Sequence, residues 1–184
     1  ITVPSGPAVA LAMKAAVAIG PVRRFVVGDP NVQLIDVLAG ATLDRLAAAE
    51  QQVHKGEVVL SAETAARLQQ RAVIAEWRTD AAGGQFAVLQ HLTSPAAPQP
   101  WPEFVSNPDL EQQVKHWLLA AVYARESSGQ GAFLAELRPA VALFVHFGGI
   151  DYDGDATAGQ KLDDYVRWVQ AVLARYEGFL LQLT

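Results

Sequence analysis

Residues 136–149 read ELRPAVALFVHFGG, and residues 140–147 within them carry no formal charge. Pro139 fixes the backbone where the run begins, and two glycines close it. An apolar run bounded in this way predicts a strand buried on both faces, and such a strand needs packed layers above and below it. A plain helical bundle does not supply that environment. In open α/β sheets ligands gather at the carboxyl ends of central strands, which makes His146 and the Gly148-Gly149 turn candidates for a ligand end.

The rest of the chain has the composition to build those layers. Of its 184 residues 51% are hydrophobic and 18% charged, which argues against disorder and allows one large domain or parts of two. The net charge of −5, with arginines scattered apart from Arg23-Arg24, speaks against nucleic acid as a partner. The longest apolar run is about a dozen residues against the ~20 of a spanning helix, so no membrane partner is expected. Cysteine is absent, which excludes a disulfide framework or a thiolate metal site and fits a cytoplasmic location. The chain begins at Ile1 rather than Met and stops at Thr184 inside the apolar run FLLQLT. Both ends are therefore expected to be cut, and missing targeting signals carry no weight.

Taken in order, residues 13–19 and 22–27 predict two strands, with hairpin punctuation at Gly20-Pro21 and at residues 28–31. A third strand is expected at 33–39. A helix follows over 43–53, with Thr42 as its N-cap and Leu43, Leu46, Ala47 and Glu50 setting its period. Residues 57–60 predict a strand, 61–70 a helix that Ser61 caps, and 72–77 and 86–92 two strands around a turn at 80–84. Strands alternating with only two helices predict an α+β domain or the latter part of one.

Prolines 95, 98, 100, 102 and 108 mark a semi-rigid linker at 94–108. Its Trp101 and Phe104 are expected to pack on their own protein rather than offer the segment to a proline-reading domain. Asn107-Pro108 predicts a cap and first turn for a docking helix, along which Leu110, Val114, Trp117, Leu118, Ala121 and Val122 form one stripe, and residues 127–131 break it. After the apolar run come an acidic turn at 151–155, a capping box of Thr157 and Gln160, and a long helix. Leu162, Tyr165, Val166, Val169, Val172, Leu173 and Tyr176 trace that helix, and Asp163 stands four residues before Arg167. Gly178 ends it, and residues 179–183 predict another strand. Strand, long helix, strand is the opening of a second α/β unit.

Four stretches carry a family resemblance. MKAAVAIGPVRRFVVGD (13–29) resembles the paired strands that follow the second metal-binding loop of class III nucleotidyl cyclases, and IDVLAGATLDRLAAAE (35–50) resembles their strand-Gly-helix segment. KGEVVLSAETAARL (55–68) is similar to the family's G-E-[IV]-hydrophobic-[VL]-S-x-E-T-A. ELRPAVALFVHF (136–147), followed by a long helix, Tyr176-Glu177-Gly178 and an apolar run, resembles the opening of such a domain. Together they cover nearly the whole chain, and their order is similar to that of soluble adenylyl cyclases with tandem domains. The resemblance implies a ferredoxin-like α+β fold of the βαββαβ type, present as two partial domains. Residues 1–93 would be the C-terminal part of the first, 94–135 a Pro-rich linker with a docking helix, and 136–184 the N-terminal part of the second.

In that family two facing domains convert ATP, or GTP, into a cyclic nucleotide and pyrophosphate. Two aspartates of one domain hold two divalent cations, Mg2+ or Mn2+, while an Arg, an Asn and a Lys of the other meet the developing charge. By the resemblance, His146 stands where the first metal-binding Asp would be, and imidazole is a poor ligand for a hard cation. Asp44 stands at the family's Asn, Ala48 at its Arg, and Ala41 at the position that often selects the base. The chain is therefore expected to hold no metal and to supply no catalytic or cofactor-binding residue. Its partners would be the complementary half-domains, in the same chain or in a second one, with metal-binding aspartates before Ile1 and the Lys, Asn and Arg after Thr184. The alternative is a non-catalytic regulatory module in which both domains have decayed.

Other candidates are weaker. His146 could act as a pH-sensitive or weakly metal-binding group, but a hydrogen-bonded histidine at a domain interface is preferred. Asp151, Asp153 and Asp155 mimic the start of a calcium loop, yet Ala156 replaces its Gly and Leu162 its Glu, so a solvated, helix-capping loop is preferred. Arg45 lies about two positions from a helix arginine that binds bicarbonate in related soluble cyclases, and a surface role is expected. Arg23 and Arg24 are expected as exposed hairpin charge rather than groups facing a nucleotide or partner domain. Trp101, Trp117 and Trp168 are expected as docking aromatics. His54, His91 and His116 show no ligand spacing, and no nucleophile, base and acid constellation is visible.

Overall fold

The structure, a computed structural model, describes residues 11–105, 107, 109–129 and 139–183. Their order is β1 (Ala15–Val17), β2 (Arg23–Val27), β3 (Ile35–Ala39), α1 (Ala41–Gln51), β4 (Val58–Ser61), α2 (Ala62–Leu68), a 3-10 turn (Gln69–Arg71), β5 (Ala72–Thr79), β6 (Gln85–Leu92), α3 (Leu110–Lys115), α4 (Ala120–Ser127) and α5 (Ala158–Ala174). The class is α+β. These elements fall into two compact units, one of residues 1–22 and 39–100 and the other of residues 23–38 and 101–184. The second unit thus draws in a hairpin that precedes the Pro-rich stretch.

The first unit is a mixed four-stranded sheet in the order β1-β4-β6-β5, with β1 parallel to β4 and the other pairs antiparallel. β4 is its centre. Successive side chains of a strand point to opposite faces, so Val59 meets Ala49 of α1 and Val53 just beyond it together with Phe86 and Val88, while Leu60 meets Ala65 and Ala87 on the other face. Both are essentially buried. Ser61 ends the strand and caps α2 as expected, its Oγ accepting from the Thr64 N–H at 3.3 Å, and Thr64 Oγ1 donates to the Val17 carbonyl at 3.3 Å.

The second unit joins β2 and β3 into a two-stranded hairpin and lays α5 across it. Val27, Leu162 and Val166 are its buried centre, ringed by Phe25, Ile35, Val37, Phe147 and Tyr165. The long helix stands as its apolar period predicts, with Arg167 Nε donating to Asp163 Oδ2 at 2.7 Å. It ends at a turn in which the Gly178 N–H reaches the Leu173 carbonyl at 2.9 Å and Glu177 takes φ of 54°.

Several expectations are corrected. Residues 139–150 have no regular secondary structure, no strand pairs with them among the described residues, and Val141, Leu143 and Phe144 are 96, 75 and 93% exposed rather than buried. Apolar character alone does not make a strand, because the ladder needs a neighbour, and here only Phe147 and Ile150 reach a core. Residues 136–138 of that stretch lie outside the described residues. Residues 179–183 form no strand either; Leu180 and Leu183 instead pack around Leu162. β1 pairs with β4 instead of forming a hairpin with β2.

The single helix expected from Asn107-Pro108 is two, α3 and α4, with Leu119 between them at φ −58°, ψ 135°. The physical reason is a competing claim on its carbonyls, since His116 O accepts from the Leu34 N–H at 2.6 Å and Trp117 O from Gln33 Nε2 at 3.3 Å. The N-cap of α3 is Asp109, with Asn107 Oδ1 accepting from its N–H at 2.9 Å, and Pro108 lies outside the described residues. Helix α1 starts two residues early, from Gly40 at φ 114°, because the Thr42 hydroxyl is engaged by the Pro21 carbonyl at 2.6 Å and caps nothing. The Thr157-Gln160 capping box does not form. Thr157 donates both its N–H and its hydroxyl to Asp155 Oδ1, and Gln160 bonds Asp164. Trp101 and Phe104, expected to pack, are 94 and 77% exposed.

Candidate functional site

Residues three and four apart share a face of an α-helix, so α1 carries Ala41, Asp44 and Ala48 in one row. Ala41 and Asp44 are exposed, and Ala48 packs on the Val59 and Phe86 core. The row therefore offers two methyl groups and a carboxylate, and no cation that would meet a phosphate. Asp44 sits in the first turn, where the helix dipole favours its negative charge.

Arg45, beside that row, is half-buried instead of lying free on the surface. Its Nη2 donates to Thr42 Oγ1 at 3.0 Å, Nε lies 3.7 Å from Glu63 Oε2, and Nε itself is buried without a hydrogen bond. Gly20 makes room for this pair, because a Cβ there would collide with Thr42 Oγ1 and come within 2.7 Å of Arg45 Nη2. The Glu63 carboxyl is held below its ordinary range, first by its own backbone N–H and then by Ser61 and the Arg45 charge.

In the second unit His146 is exposed within a stretch that has no regular secondary structure. The acidic turn before α5 is tied down internally. Asp151 Oδ1 accepts from the N–H groups of Asp153 and Gly154 at 3.1 and 2.9 Å, and Asp155 accepts from Lys161 Nζ at 2.7 Å. Lys161 and then Thr157 hold the Asp155 carboxyl well below the usual carboxylate range. Arg23, expected as exposed charge, reaches into this turn: its Nη1 donates to the carbonyls of Tyr152 and Asp155 at 2.9 and 2.7 Å, and its guanidinium lies 5.0 Å from the centre of the Phe25 ring. Arg24 keeps the expected exposed place, paired with Asp36 at 2.8 Å. Among the described residues no three His, Asp or Glu side chains converge as metal ligands would.

A cleft of about 410 Å³ opens where α5 ends, lined chiefly by Val32, Leu119, Leu173 and Phe179, with Gln33, Gln170 and Glu177 as its polar residues. Gln170 is 4% exposed and engaged at both ends of its amide, its Oε1 accepting from the Asp29 N–H at 2.8 Å and its Nε2 donating to the Gln33 carbonyl at 2.8 Å. Sequence reasoning passed over it. The available signal was a polar residue at the third place of the row Leu162, Val166, Gln170, where spacing by four demands something buried.

No family model matches the chain, and neither a curated protein nor a solved structure matches it. Among the described residues no helix is long and apolar enough to cross a membrane.

Proposed function

We propose that the chain is part of a tandem class III nucleotidyl cyclase, the end of one ferredoxin-like catalytic domain and the start of a second, whose parent makes cyclic AMP and pyrophosphate from ATP by two-metal catalysis between facing domains. What supports this reading is the motif order of residues 13–68 and 136–183, together with one observation. A hairpin from before the linker and a helix from after it share the Val27, Leu162 and Val166 core, the kind of packing expected where two half-domains face one another. A cytoplasmic location goes with the reading.

Within these residues the cyclase chemistry is absent by design of the pairing. His146 stands at the metal position, and the row of Ala41, Asp44 and Ala48, its first two residues exposed and Ala48 packed on the core, offers nothing to a developing phosphorane charge. The Mg2+ or Mn2+ ions would be held by aspartates outside this stretch. The purified 184 residues, given ATP or GTP with Mg2+ or Mn2+, are expected to form no cyclic nucleotide, whereas the parent protein is expected to form it. Cyclic nucleotide from the 184 residues alone would refute the division of labour. An inactive parent would favour the second reading, a regulatory module of decayed cyclase domains, which the same Ala41, Asp44 and Ala48 row supports.

A further inference from the structure

We propose that the hairpin of β2 and β3 and helix α5 form a docking interface sufficient to hold the two halves of the chain together without the linker, with α5 reading the hairpin through its main chain. The hairpin precedes residues 94–108 and α5 follows them, and the hydrogen bonds that join them span 135 to 141 residues of sequence. Three main-chain groups at the hairpin turn are satisfied by side chains two helical turns apart on α5. Asp163 Oδ1 accepts from the Gly28 N–H at 2.7 Å, and Gln170 accepts from the Asp29 N–H and donates to the Gln33 carbonyl at 2.8 Å each. Beneath these bonds Leu162 and Val166 are fully buried against Val27.

The fit is close on both partners. Gly28 is buried at φ +105°, and a Cβ there would stand 2.5 Å from the Gln33 carbonyl oxygen and 3.0 Å from the Gln170 amide. At the other end of the hairpin, a Cβ on Gly159 would stand 2.9 Å from the Phe25 ring. Arg23 adds its two bonds to the turn that leads into α5, and His116 Nδ1 meets the Pro30 carbonyl at 2.8 Å from the end of α3. Buried apolar centre, satisfied polar ring and a charged clamp are the parts of a specific interface. A covalent linker raises the local concentration of two docking surfaces and adds no contact between them. Residues 95–105 are exposed and without regular structure, so they can be cut. The inference does not depend on the cyclase reading.

The test places a specific protease site at residues 96–97 of the full chain and cleaves it after folding. The two pieces are expected to co-elute on size exclusion at the volume of the uncut chain. The Gln170→Ala variant leaves the Asp29 N–H and the Gln33 carbonyl without their partners in a part-buried place, and is expected to weaken association of the cut pieces by about tenfold or more. Asp163→Ala and Gly28→Ala should each weaken it as well, with the uncut variants checked by circular dichroism for retained fold. Arg24→Ala, which removes an exposed pair on the hairpin, should leave association unchanged. Separation of the wild-type pieces on cleavage would overturn the proposal. So would a Gln170→Ala variant that folds and holds its pieces as tightly as the wild type.

Discussion

Arg78, near the end of β5, is the side chain on which the loop before β4 depends. Its Nη1 donates to Glu57 Oε2 at 2.7 Å and its Nη2 to Oε1 at 2.8 Å, a two-pronged pair, while Nη1 also reaches the Gln52 carbonyl at the end of α1. The pair is three-quarters or more shielded from solvent. The Arg78 guanidinium, then the His54 N–H, pulls the Glu57 carboxyl down to about 2 from its ordinary 4.5. A depressed acid stabilises the fold above its unfolded value and loses that contribution as pH falls through the folded one. The contribution is therefore complete at neutral pH and lost between about 4.5 and 2. Glu57→Gln is expected to lower the urea midpoint at pH 7, with the gap to the wild type closing across that window. The measurement is the midpoint at a series of pH values, and parallel curves for the two proteins would show that Arg78 does not couple to Glu57.

At the scale of elements, residues 140–147 stand out as an apolar run that no strand pairs with among the described residues. Val141, Leu143, Phe144 and Val145 are between 63 and 96% exposed, and an uncharged, β-prone, proline-free stretch open to solvent is a template for pairing with another chain. Replacing Leu143 and Phe144 with lysine is expected to cut light scattering of concentrated protein several-fold and leave the helical circular dichroism unchanged. Unchanged scattering would place the self-association elsewhere. This run also marks where sequence reasoning stopped working. Residues 58–61 and 158–174 were legible because burial on both faces of β4 and the four-residue spacing of Leu162 and Val166 are local patterns. The apolar run carried the same signal as β4, and what separates them is a hydrogen-bonded neighbour, Val59 facing Val88 across β6, which no local pattern encodes. The split between α3 and α4 was hidden for the same reason, since the groups that capture His116 O and Trp117 O come from residues 33 and 34. Of the candidate site, Ala41, Asp44 and Ala48 were singled out through the family resemblance rather than any local pattern, while Gln170 and Arg23 took their roles from partners more than a hundred residues away.

At the scale of the whole molecule, the chain has separate cores. In the first unit they lie on the two faces of the sheet, one around Val59 and Phe86 and one around Leu60, and in the second unit a core gathers around Val27, Leu162 and Val166, although the hairpin that completes it is flanked in sequence by β1 and α1 of the first. The order of the chain and the order of its packing are thus different, and a core mutation tells them apart. Leu162 is wholly buried, so Leu162→Ala removes its contacts and leaves a cavity at a cost of roughly 2–5 kcal/mol. If packing decides cooperativity, amide exchange should quicken in residues 23–38 and 158–174 together, across more than a hundred residues of sequence. The amides of β4 and β6, which rest on Val59 and Phe86, should keep their protection. If sequence order decided it, the hairpin would instead follow β4. Exchange measured peptide by peptide separates the outcomes, because 23–38 and 58–61 fall in different fragments, and loss of protection in β4 equal to that in the hairpin would show that the cores of the two units open as one.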